Sequence, residues 1–104
     1  MGRKYHRVLP RKWVGLARVF TALGDEYRQR ILLMIGPGAG ELTIKDVADA
    51  CPLSRTAIAH HIRVLREAGV LRAQKRGRKV FLSIDTGRVL AALDALRDYI
   101  REKS

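Results

Sequence analysis

The chain has 104 residues, of which 47 % are hydrophobic and 30 % charged. That is the composition of a single soluble domain of ordinary size, not of a disordered segment. Lys and Arg number 21 against 10 acidic residues, a net charge of +11. This balance points to a polyanionic partner, with nucleic acid ahead of an anionic membrane surface. A single cysteine excludes an internal disulfide framework and an all-cysteine zinc site, and it fits a reducing cytosol. No apolar run approaches the roughly 20 residues of a membrane span. The basic start of the chain is followed by no apolar leader core, so neither a membrane partner nor a secretory leader is expected.

The charge falls in blocks. Residues 1–20 hold six Lys and Arg and no acid, and residues 54–80 hold eight against the single acid Glu67. Residues 21–53 lean acidic, and residues 81–104 balance. Residues 1–10 read as a basic tail and 11–104 as one domain. Pro10 suits the first position of a helix, where its missing N–H costs nothing. Trp13, Leu16, Ala17 and Phe20 then recur at helical spacing and predict a helix over 11–22. Gly24 ends it, and Asp25 caps a second helix over 26–35 that carries Tyr27, Ile31, Leu32, Met34 and Ile35. The glycine-rich run 36–40 reads as a loop.

Thr43 and Asp46 form a variant of the capping box at the start of a short third helix, with Leu42 and Val47 spaced as a hydrophobic staple. That helix stops near Cys51, because Pro52 disfavours helical geometry in the residue before it. Ser54 then caps a fourth helix predicted over 55–68, with Leu53 and Ile58 as a second staple pair. Gly69 supplies the left-handed residue of the exit, where Val70 closes back on Leu65. Residues 71–75 and 79–84 read as two strands joined by a turn at 76–78, the second showing the alternation of a half-buried strand. Asp85 caps a last helix over 86–102, with Val89, Leu93, Leu96 and Ile100 on one face.

Two helices joined by a tight turn, the second well capped, make a helix-turn-helix unit, and the basic hairpin behind it is the wing of a winged helix. The expected fold is therefore mainly α: about five helices plus a two-stranded wing. A helix of this kind fits the major groove of duplex DNA, about 12 Å wide. Ile58, Ile62 and Leu65 form one stripe of the fourth helix and must face the core. Arg55, Thr56, Ala59, His60 and Arg63 lie opposite. Arg55 and Arg63 have the reach for guanine edges or phosphates, Thr56 for a base edge or a thymine methyl, and Ala59 permits close approach. Ser54 and the helix N-terminus favour a phosphate. Lys75, Arg76, Arg78 and Lys79 crowd the wing, where backbone phosphate or the minor groove is the natural target. His61 falls nearer the buried flank and reads as a structural histidine, while His60 stands evenly between solvent and DNA.

Three segments in order resemble the ArsR family of bacterial winged-helix repressors. Residues 53–71, from Leu53-Ser54-Arg55-Thr56 to Ala68-Gly69-Val70-Leu71, are similar to its recognition helix. Phe20-Thr21-Ala22-Leu23-Gly24-Asp25 with the seven residues after it, to Leu32, resembles the entry to its second helix, and residues 76–84 resemble its wing. The resemblance implies a homodimer that binds operator DNA in the cytoplasm, represses transcription and releases on a signal. It also prompts a check of the family's metal sites. Where thiolate sensors have cysteines at the start of the third helix, residues 41–47 have none. Where zinc sensors carry Asp and His on the last helix, this one offers Asp94, Asp98 and Glu102 and no histidine. Carboxylates alone are a poor zinc cage, so no metal or cofactor is expected. Cys51 reads as a small buried hydrophobe rather than a redox sensor, having no second cysteine to resolve an oxidised sulfur.

Glycines 36, 38 and 40 lack the Lys-Ser/Thr of a phosphate loop, and no Ser, His and acid set follows from spacing, so catalysis is not expected. A dimer seam is expected from Trp13, Leu16 and Phe20 on the first helix and Leu93, Leu96 and Ile100 on the last. Both helices lie outside the helix-turn-helix, so pairing through them leaves both recognition helices exposed. The competing readings are a redox- or small-molecule-responsive regulator of the same fold, a low-specificity nucleoid or RNA-binding protein, and a protein-interaction module that uses the fold without DNA.

Overall fold

A computed structural model describes residues 3–38 and 40–103. Met1 and Gly2 of the basic tail, Ala39 of the glycine loop and Ser104 lie outside the described residues. The elements are α1 (Arg11–Leu23), α2 (Glu26–Ile35), β1 (Leu42–Thr43), α3 (Ile44–Ala50), α4 (Arg55–Glu67), β2 (Leu71–Arg76), β3 (Lys79–Ile84) and α5 (Thr86–Lys103). All five expected helices are present. Pro10 stands one position earlier than expected, as the N-cap of α1, its carbonyl accepting from the Trp13 amide at 2.8 Å.

Local chemistry starts four of the helices. Asp25 accepts from the amides of Tyr27 and Arg28 at 2.9 and 3.1 Å. Thr43 and Asp46 exchange both bonds of a complete capping box, at 2.9 and 3.0 Å. Ser54 accepts from the Ala57 amide at 3.1 Å, and Asp85 from the Arg88 amide at 3.0 Å. Each satisfies an amide that has no partner inside its helix. Helix α4 ends at Glu67, one residue short of the expected boundary, with Ala68 as its C-cap. Gly69, at φ 78°, then turns the chain back. Its amide donates to the Arg66 carbonyl at 3.0 Å, and Val70 donates to Leu65 at 2.9 Å, the paired bonds of a Schellman exit.

The wing differs from expectation. It is a three-stranded antiparallel sheet, ordered β1-β3-β2, not a two-stranded hairpin. Leu42 pairs with Leu82 and Thr43 with Phe81. Two residues are too few to display a strand's alternation, and here pairing with β3 makes the strand. Gly40, just before it, passes so near the Leu82 carbonyl that an added Cβ would collide with it. At the tip Arg76 pairs with Lys79, leaving a two-residue turn that opens on Gly77 at φ 63°.

The core sits under α4 and against the inner face of the sheet. Val19 and Ala22 of α1, Ile31 of α2, Val47 of α3, Ile58, Ile62 and Leu65 of α4, Val70, Leu71, Leu82 and Ala92 of α5 form one buried cluster. Burying a side chain the size of Leu65 contributes about 1.5–3 kcal/mol. One small core thus holds α4 by three consecutive turns of its inner face. Cys51 is half-buried against the same cluster.

Candidate nucleic-acid interface

With Ile58, Ile62 and Leu65 buried, the opposite side of α4 faces solvent. Ser54, Arg55, Thr56, Ala59, His60 and Arg63 are all exposed on it. The Ser54 oxygen is used as the cap, and its hydroxyl proton remains to be donated outward. Arg63 lies along its own helix. Its guanidinium meets His60 Nδ1 at 3.1 Å and Glu67 Oε1 at 3.6 Å, the latter an exposed pair that costs little to open. His60 and Arg63, both expected on this face, therefore touch one another.

His61 sits at the flank, with its side chain only 13 % exposed. Nδ1 meets an Arg28 guanidinium nitrogen at 3.2 Å, and the ring stacks near Tyr27 at 6.0 Å. A guanidinium can only donate, so Nδ1 accepts and the proton of neutral His61 sits on Nε2. The same guanidinium donates to the Ala22 carbonyl at 2.8 Å and the Thr21 carbonyl at 3.1 Å. Arg28 thus closes the exposed C-terminal carbonyls of α1 and ties them to α4. Its role has no signal in the local sequence, because its partner on α4 is 33 residues away.

The wing sorts its cations. Lys75, Arg78 and Lys79 are exposed along the hairpin. Arg76 is exposed too, but its guanidinium lies 3.7 Å from the centre of the Phe81 ring and donates to the Gly40 carbonyl at 2.9 Å. Arg72, at the base of β2, pairs with Asp85 at 3.0 Å. The Arg88 amide and, less strongly, Arg72 hold the Asp85 carboxyl below its ordinary range.

On the other side of the molecule α1 and α5 meet. Trp13 packs edge-on against Tyr99 with ring centres 5.2 Å apart. Leu16 and Phe20 are half-buried and lean on the core, and Leu96 is half-buried. Leu93 and Ile100 are exposed, together with Leu90. The expected seam residues thus fall in two groups, one half-buried and one exposed. Among the described residues no three His, Cys, Asp or Glu side chains gather as a metal site, and no helix is long and apolar enough to cross a membrane.

A family model described as a helix-turn-helix domain matches residues 23–74, which spans α2, α3, α4 and most of β2. The chain superposes on the ArsR-like transcriptional regulator of Rhodococcus with a TM-score of 0.77 and 30 % identity, covering 88 % of this chain and 84 % of that one. The protein belongs to the ArsR family. A transcriptional repressor SmtB homolog of Synechocystis is 31 % identical over 87 residues, 84 % of this chain. The chain spans 64 % of that relative's length. The homodimeric winged helix-turn-helix DNA-binding domain Mb0332 of Mycobacterium bovis shares the fold at a TM-score of 0.66 and 24 % identity, over 95 % of this chain and 92 % of that one. ArsR-family proteins are DNA-binding transcription regulators, not enzymes, and this chain has their winged helix-turn-helix throughout.

Proposed function

We propose that this ArsR-family chain is a homodimeric repressor that holds a near-palindromic operator between two copies of α4 and two wings. The observation that carries the reading is the exposed set Arg55, Thr56, Ala59, His60 and Arg63 on a helix pinned at both ends. The mechanism follows from that arrangement. Ser54 and the first amides of α4 meet a phosphate and set the depth of the helix. Arg55, Thr56 and Arg63 read base edges, and Ala59 lets the helix approach. Lys75, Arg78 and Lys79 hold the flanking backbone. Repression then comes from occupying the operator.

Dimer pairing through α1 and α5 sets the two recognition helices about 34 Å apart, one turn of DNA. Mb0332 being homodimeric, and the exposed side chains of Leu90 and Leu93 on α5, support this. We further propose that the protein does not answer to metals through the family's usual sites, since the start of α3 has no cysteine and α5 no histidine. Stoichiometric zinc or arsenite should leave the DNA complex intact. Release by either metal that is lost in Cys51→Ser would overturn this part.

The test of the whole reading is genome-wide mapping of bound sites, followed by affinity for a mapped site against mixed-sequence duplex at one salt concentration. A ratio of about a thousandfold or more is expected. A ratio near one would favour a low-specificity nucleic-acid-binding protein, the reading that the net charge of +11 alone supports.

A further inference from the structure

Arg76 stands apart from the other wing cations. It is the last residue of β2, paired with Lys79 across the tip, and Gln74, two residues before it, pairs with Phe81. Side chains two apart on a strand share a face, so Arg76 lies diagonally across from Phe81. Its guanidinium crosses that ring at 3.7 Å and continues to the Gly40 carbonyl at 2.9 Å. Gly40 leads into β1, which pairs with the opposite edge of β3. One side chain therefore spans the whole sheet, from β2 across β3 to the chain entering β1. Both of its ends are fitted. The ring offers its negative face to a flat cation, and Gly40 is held against Leu82 so closely that no side chain fits there. A cleft of about 460 Å³ lined by Gly40, Glu41, Gln74, Ser83 and the Arg76–Phe81 pair itself opens beside the strap.

We propose that Arg76 is a positioning residue of the wing and not a phosphate contact: it straps the tip to the glycine-rich segment before β1 and so fixes where Arg78 and Lys79 are presented. This rests on the reading of α4 and the wing as the DNA face. It reverses the expectation from composition, in which all four cations of the hairpin were equivalent. A guanidinium that turned to a phosphate would give up the Phe81 face and the Gly40 carbonyl together, and the tip would lose its tie to β1.

The test combines a salt series with a spectroscopic marker, both on the full chain with mixed-sequence duplex DNA as the probe. Arg78→Ala should lower the slope of log affinity against log salt by about 0.9, the signature of one lost phosphate contact. Arg76→Ala should weaken binding by roughly three- to tenfold with the wild-type slope, because Arg78 and Lys79 still meet phosphate but the untied tip must first be ordered to present them. Phe81→Leu should reproduce that loss, and the double variant should be no weaker than either single one. In the nuclear magnetic resonance spectrum the Arg76 side-chain protons should be shifted upfield by the Phe81 ring. The shift should vanish in Phe81→Leu and persist in wild type when DNA is added.

An Arg76→Ala slope that falls by about 0.9, or a ring shift that collapses on DNA, overturns the strap and leaves the DNA face intact. A wild-type protein whose affinity for duplex does not depend on salt overturns the DNA face, and the strap's purpose with it.

Discussion

Helices α4 and α5 begin alike and are completed differently. Each is capped by the side chain before it, Ser54 for one and Asp85 for the other. Helix α4 then buries Ile58, Ile62 and Leu65 in the chain's own core and turns only polar and small residues outward. Helix α5 is longer, yet among its described residues only Ala92 is buried, while Leu90 and Leu93 are exposed. A helix finished within its own fold can offer its outer face to a ligand. A helix left with apolar side chains in water has surface still to cover. On the proposed reading the two helices take different partners, DNA for α4 and a second copy of the chain for α5.

Breaking the proposed seam should have the largest effect. Leu96 is half-buried between the core side and the open side of α5. A charge there opposes any apolar pairing of α5 with a second copy. Leu96→Glu should sediment as a monomer and bind a two-site operator about 100-fold or more weaker, because the second half-site loses its tethered partner. Circular dichroism checks that the monomer stays folded. A wild-type protein that is monomeric at micromolar concentration and still binds one half-site tightly would sink the seam.

Changing the outer face of α4 should cost less and be more selective. Arg63→Ala should weaken operator binding by about 1–3 kcal/mol and relax preference at one base position, if Arg63 leaves His60 and Glu67 to read that base. Selection from a randomised half-site measures this. An equal loss on every sequence would make Arg63 a phosphate contact instead. The paired control lies on the inner face. Leu65→Ala should destabilise the fold by about 2–5 kcal/mol and leave base preference unchanged.

How much of this was legible follows the distance between partners in the chain. The ends of α4 depend on Ser54 with Ala57, and on Gly69 with Arg66 and Val70 with Leu65, all within a few residues, and both could be read from the sequence. So could the buried and exposed faces, which follow from helical period alone. The strand β1 could not, since its two residues become a strand only by lying against Leu82 and Phe81. The sorting of wing cations was equally hidden. Arg76 and Arg78 are chemically identical, and what separates them is the Phe81 ring together with the Gly40 carbonyl, 36 residues from Arg76. The Arg28 link and the Trp13–Tyr99 packing are long-range in the same sense.

The smallest expected effect sharpens the contrast between the caps themselves. Asp25 and Asp85 cap α2 and α5, Asp46 closes the capping box of α3, and each carboxyl is held below its ordinary range. The largest cause in each case is a backbone amide: that of Arg28, Thr43 and Arg88 in turn. A carboxylate with a depressed folded-state pKa stabilises the fold fully above its unfolded value. That contribution is lost as pH falls through the folded value. Ser54 does not titrate, so α4 keeps its cap in acid. Below about pH 4 the starts of α2 and α5 should therefore loosen while the start of α4 holds, and α3 should lose the Asp46 half of its capping box but keep the Thr43 hydroxyl bond. The amide protons of Arg28, Thr43 and Arg88 report this directly, because each donates to the carboxylate concerned. Their shifts should titrate with midpoints below that of a free aspartate, and the Ala57 amide should stay flat through the same range. Midpoints at the ordinary value, or an Ala57 amide that moves with the others, would show that the side-chain caps do not distinguish α4 from α5.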